Sequence, residues 1–134
     1  WGLYLCLRFL RWCKKLVLGF INALPLVWLR ALIIKTYGSG NAPQKPWLFE
    51  KLKELDSRGV ILVNITQCSK GTVEMRRYET GRLLLQAGAV NGYDGTMEST
   101  VSKLMFLLGQ GYSKDEILPL LNTSIAGEIT IPEE

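Results

Sequence analysis

Gly38-Ser39-Gly40-Asn41 and Thr66-Gln67-Cys68-Ser69-Lys70-Gly71 are the two stretches where this chain groups residues able to do chemistry. Each follows an apolar run, so each is expected at the carboxyl end of a strand, where ligands gather in open parallel sheets. Two glycines around a small residue allow a bend closed to bulkier side chains, and they let a ligand or another backbone come close. The side-chain amide of Asn41 can orient a polar ligand but cannot attack one. The hydroxyls of Thr36, Ser39, Thr66, Ser69 and Thr72 are the candidate nucleophiles. A hydroxyl needs an activating base to attack, and no suitable acid and lysine stand beside these five in sequence. No catalytic residue is assigned. A plainer reading runs alongside: Asn41 caps a tight strand-to-helix turn, and Thr66 closes a strand-end turn.

Composition narrows the chemistry further. The 134 residues include no histidine, which removes His-based acid–base catalysis, the serine and cysteine triads, and the commonest metal ligand. Cys6, Cys13 and Cys68 are odd in number and fit no zinc spacing, so they read as reduced thiols of an intracellular protein. Neither a metal nor a cofactor is expected. Residues 1–35 carry Arg8, Arg11, Lys14, Lys15, Arg30 and Lys35 and no acid; the remainder holds ten basic and twelve acidic residues. The body of the chain is mildly acidic, and no nucleic-acid partner is expected.

The elements that position the two loops follow from periodicity. Residues 31–35 (ALIIK) and 60–65 (VILVNI) read as adjacent parallel strands covered on both faces. Between them, Pro46 suits a first helical position, Leu48, Leu52 and Leu55 recur at helical spacing, and Gly59 ends the helix. Strand, glycine loop, helix and strand make a βαβ unit. Further helices are expected near 77–87, with Thr80, Leu84 and Ala87 on one face, near 97–108, and near 114–121. In the third helix Thr96 is the cap and Val101, Leu104, Met105 and Leu108 form the core stripe. Ser113 and Glu116 form a capping box for the last. Residues 89–94 (AVNGYD) hold a short strand or turn.

Residues 1–30 look different. They are apolar and aromatic, with basic residues clustered at 8–15. The apolar run 16–29 falls short of the roughly 20 residues of a helical membrane span, and no small-x-small cleavage site marks a signal peptide. An interfacial membrane helix is one reading. The reading adopted is a segment outside the fold, helical or disordered, with apolar surface left partly exposed. The chain begins at Trp1 and is expected to be part of a longer product. The domain division is therefore 1–30, outside the fold, and 31–134, one α/β domain.

TYGSGNAPQKP (36–46), VNITQCSKGTV (63–73), YETGRLLLQAGAVNGYD (78–94) and AGEIT (126–130) carry a resemblance. With these residues the chain resembles the carboxyl-terminal domain of bacterial-type L-asparaginases, nearest the cytoplasmic type I branch. The resemblance implies a flavodoxin-like α/β domain of three layers with a small parallel sheet, packed under a larger amino-terminal domain. That larger domain holds the family's nucleophilic threonine and the groups that activate it, and no stretch of 1–30 resembles it. The resemblance further implies L-asparagine as substrate, a dimer or tetramer, and a substrate contact across the dimer that falls on Asn41. Some type I members bind a second asparagine as effector; the matching positions are Lys35, Thr66 and Cys68. Lysine replaces the usual arginine there and loses the planar fork that grips a carboxylate. The usual Leu-Arg-Gly-Glu reads Ile125-Ala126-Gly127-Glu128 and lacks its arginine.

Other readings compete. Without the catalytic domain the chain could be an amino-acid-binding or dimerising module with no chemistry of its own, or a membrane-associated protein led by residues 1–30. Tyr78 and Glu98 read as packing and surface residues. Asp94 and Glu98 have helical spacing, but Gly95 and the Thr96 cap put Asp94 outside the helix.

Overall fold

Runs such as LRALIIKT and ILVNIT are apolar at almost every position, so they fit only where both faces of a strand are covered. The computed structural model describes residues 3–8, 19, 29–68 and 71–131. Strands β1 (Leu3–Arg8), β2 (Leu29–Thr36), β3 (Ile61–Thr66) and β4 (Ala89–Asn91) lie in that order and pair parallel throughout. β2 and β3 are in register from Ala31 opposite Ile61 to Thr36 opposite Thr66, the adjacent parallel pair read from the sequence.

Among the described residues, the helices α1 (Pro46–Ser57), α2 (Glu79–Gln86), α3 (Met97–Gly109) and α4 (Lys114–Leu121) flank this sheet. Strand alternation decides which helices each side chain meets. Leu32, Ile34 and Leu62 pack with Leu48, Leu52 and Leu55 of α1 and Leu84 of α2. Ala31, Ile33, Ile61, Val63 and Ile65 pack with Leu104 and Leu107 of α3 and Ile117 and Leu121 of α4. The result is helix, sheet and helix, the three-layer flavodoxin-like class expected from the resemblance. It presents the carboxyl ends of β2 and β3 side by side, where Gly38–Asn41 and Thr66–Cys68 emerge.

Local capping follows the sequence closely. Thr96 Oγ1 accepts from the Ser99 N–H at 3.1 Å, and the Glu116 carboxylate accepts from the N–H and hydroxyl of Ser113 at 2.8 and 2.7 Å. Thr96→Ala is expected to cost about 1 kcal/mol with little effect on other elements. Urea unfolding of the variant checks this; an unchanged midpoint would remove the cap from the account.

Three expectations need correction. Residues 1–30 do not stand wholly outside the fold, because Leu3–Arg8 forms an edge strand parallel to β2. β2 itself begins at Leu29, two residues before the expected domain boundary. Parallel pairing with a neighbouring strand satisfies backbone groups that a free segment would leave to water. Gly19 is helical and exposed; the remaining claims about that segment, including the exposure of 16–18 and 20–28, lie outside the described residues. The third correction concerns α3: Leu104 and Leu107 are buried with Lys103, whereas Met105 is 50% exposed. The whole stretch 104–108 is apolar, so periodicity alone could not set its rotational phase.

Candidate functional site

The turn after β2 is closed at both ends by backbone hydrogen bonds. Tyr37 N–H donates to Asn41 O and Asn41 N–H to Tyr37 O, both at 2.9 Å. Gly40 adopts φ +114°, and a Cβ there would lie 3.1 Å from Val73 Cγ1 and 3.5 Å from Asn64 Nδ2. The left-handed backbone favours glycine here, and any larger residue would also have to push the Val73 methyl aside.

Three neighbouring segments hold the turn from outside. Thr66 Oγ1 donates to Gly38 O at 2.7 Å. The Glu74 N–H donates to Ser39 O at 2.8 Å. Thr80 Oγ1, near the start of α2, donates to Asn41 Oδ1 at 3.1 Å. Beneath the turn, the fully buried Thr36 hydroxyl donates to Asn64 Oδ1 at 2.8 Å. The Thr36–Asn64 bond is buried and the Thr66–Gly38 and Thr80–Asn41 bonds partly so, and together they fix the glycine loop as a platform. Asn41 is exposed on that platform, where its side chain can meet a ligand.

The other candidates behave differently. Lys35 stands opposite Ile65 and Thr66 opposite Thr36 in the ladder. Successive residues point to opposite faces, so Lys35 and Thr66 project to opposite sides of the sheet. Thr66 also accepts the Cys68 N–H at 3.0 Å, so its hydroxyl both donates and accepts inside the turn, as the plainer reading held. Cys68 is an exposed free thiol. The sheet therefore separates Lys35 from Thr66 instead of gathering the three positions. Ser69 lies outside the described residues.

Sequence reading missed Asn64 and the contact made by Thr80. Asn64 is the one polar residue in VILVNI, and a polar side chain in an apolar run was a usable signal. Thr80 carried none beyond its helix face. Among the described residues, Asn64 Nδ2 and Thr72 Oγ1 are buried without a hydrogen-bond partner. No group of three or more possible metal ligands occurs among the described residues, and no helix among them is long and apolar enough to cross a membrane.

A second cluster fixes the carboxyl-terminal segment. Lys103 pairs with Glu128 at 2.5 Å and donates to the carbonyls of Leu121 and Thr123. Glu128 also accepts from the Ile125 and Ala126 N–H groups. Burial acts to raise the Glu128 carboxyl, but the Lys103 ammonium and these backbone donors outweigh it and lower it from 4.5 to about 2. Asp94 is held similarly. Its slight burial acts upward, and the Thr130 N–H, 2.7 Å from Oδ1, brings the net shift below the ordinary value.

Known proteins resemble this chain in sequence and fold. The sequence model of the glutaminase/asparaginase C-terminal domain matches residues 20–121, reaching into the segment first read as outside the fold. L-asparaginase 1 of Escherichia coli K12 is 41% identical over 102 residues, 76% of this chain and 30% of that enzyme. The human 60 kDa lysophospholipase is 39% identical over 105 residues, 78% of this chain and 18% of its own length. The crystal structure of L-asparaginase I from Vibrio cholerae superposes with a TM-score of 0.85 at 38% identity, over 96% of this chain and 38% of that chain. The chain thus spans between 18% and 38% of the length of these relatives.

Proposed function

Because the chain belongs to the glutaminase/asparaginase C-terminal domain family, we propose that it serves as the accessory domain of an L-asparaginase, with Asn41 as its substrate contact. The whole enzyme would hydrolyse L-asparagine to L-aspartate and ammonia. The observation that carries this is the clamped turn: three separate segments immobilise Gly38–Asn41, yet the Asn41 side chain remains exposed. A group held this firmly toward solvent loses little entropy when it meets a ligand.

Chemistry would come from elsewhere. The hydroxyls of Thr36 and Thr66 are engaged in the strand-end network, so neither is poised as a nucleophile. The catalytic threonine would be supplied by an amino-terminal domain of the kind found in the type I relatives, and Asn41 would reach the substrate of a second copy in a dimer or tetramer. A cytoplasmic location accompanies this reading, in keeping with reduced thiols. The proposal does not extend to an effector role for Lys35, Thr66 and Cys68, because the side chains of Lys35 and Thr66 lie on opposite faces of the sheet.

Ammonia release from L-asparagine tests the proposal. The chain alone is expected to stay at background. Mixed with a separately expressed amino-terminal domain of a type I asparaginase, it should release ammonia, and Asn41→Ala should lower kcat/KM about tenfold through loss of one polar contact. Release by the chain alone would overturn the assignment of catalysis to the other domain. An active mixture indifferent to Asn41→Ala would overturn the role of Asn41.

A further inference from the structure

The two ends of the Asn41 amide are not equivalent. Oδ1 accepts the Thr80 hydroxyl at 3.1 Å, while Nδ2 has no hydrogen-bond partner among the described residues. Thr80 is 7% exposed, and its position is set by close packing. The next residue, Gly81, lies so near the Met75 backbone that a Cβ would meet Met75 O at 2.3 Å. The start of α2 is therefore seated directly on residue 75, and the Thr80 hydroxyl is delivered to Asn41 with little freedom to move.

A hydroxyl has one hydrogen to give. At the second position of α2 there is no helical carbonyl behind Thr80 to receive it, and Asn41 Oδ1 is its acceptor in the structure. Turning the amide over would offer Nδ2 to the hydroxyl oxygen and strand the hydroxyl hydrogen in a nearly dry site, which is costly. The amide is held in one orientation, with both Nδ2 hydrogens left for a ligand and Oδ1 turned to Thr80, which occupies one of its two lone pairs.

We infer that Thr80 is a positioning residue that sets the polarity of Asn41, so that the site favours an acceptor oxygen of its amino-acid ligand over the ammonium group. The acceptor is a carboxylate or a carboxamide carbonyl. This rests on the proposed role of Asn41 and adds which end of the ligand it meets.

The test uses the full chain labelled with nitrogen-15, its Asn41 side-chain amide signals assigned by their loss in Asn41→Ala. Acetate, acetamide and methylammonium are the probes, with sodium chloride as the ionic control. Acetate or acetamide should shift the Asn41 amide pair at concentrations about tenfold below methylammonium, and the order of those two identifies the oxygen preferred. Thr80→Val should bring the probes within about threefold of one another, and Thr80→Ser should restore the preference. Thr80→Ala serves the same purpose if the valine variant does not fold. A merely structural role would weaken all probes together and leave their ratio unchanged. An equal or stronger response to methylammonium, an unchanged ratio in Thr80→Val, or no response to any probe would overturn the inference. None of these outcomes depends on ammonia release, so failure here is separable from failure of the proposed function.

Discussion

Lys103→Met is expected to cost about 3 kcal/mol and to lower the thermal midpoint by about 10 °C or more, although it places an apolar side chain in a helix. Lys103 and Glu128 are only 6% and 13% exposed in their side chains. Their pairing joins α3 to the end of α4 and to the segment beyond it, through Leu121 O, Thr123 O and the Glu128 carboxylate. Removing the ammonium leaves a carboxylate largely out of water and two carbonyls without their donor. The backbone N–H groups on Glu128 compensate in part, which keeps the expected cost at the lower end for a broken buried pair. A shift under about 2 °C in a thermal melt followed by circular dichroism would show that the pair is dispensable.

The same pair fixes the acid response. The folded Glu128 carboxyl is at about 2, below its ordinary 4.5. A lowered folded value stabilises the fold fully above about pH 4.5, and that stabilisation drains away as pH falls toward 2. Asp94 is also lowered and adds to the slope in the same acid range. The informative quantity is therefore the difference between variants. Glu128→Gln, unfolded in urea at pH 7, 4 and 3, should lose less stability on acidification than the parent chain. Parallel pH curves for the two would show that Glu128 does not carry the effect.

Gly81→Ala is expected to destabilise by about 2 kcal/mol, the reverse of the usual sign. An exposed helical glycine replaced by alanine normally gains up to about 1 kcal/mol. At Gly81 the new methyl would sit 2.3 Å from Met75 O and within 2.9 Å of two further backbone atoms. Backbone cannot rotate away as a flexible side chain can, so α2 must shift from its seat, taking Thr80 away from Asn41. Gly109, at the end of α3, is the control: nothing lies within 4 Å of its added Cβ. Gly109→Ala should be neutral or mildly stabilising. Equal effects of the two substitutions in urea unfolding would refute the packing argument, because propensity alone would then explain both.

Element identity was legible because its causes are local. Pro46 opening α1, Thr96 capping α3 and the Ser113–Glu116 box opening α4 each act within one helical turn, and ALIIK and VILVNI declare doubly covered strands without reference to anything distant. The paired loop motifs likewise pointed to the asparaginase C-terminal fold before any contact was known. What the tertiary structure decided are contacts between residues far apart in the chain. Thr36 meets Asn64 across 28 residues, Thr80 meets Asn41 across 39, and Lys103 reaches Leu121 across 18. No local propensity encodes such distances. The uninterrupted apolar stretch 104–108 left the face of α3 undetermined until packing buried Leu104 and Leu107 and turned Met105 outward. Lys35 and Thr66 looked like neighbours at two strand ends. The pleat sends them to opposite faces because their ladder positions differ by one residue, and register is settled only when β2 and β3 pair.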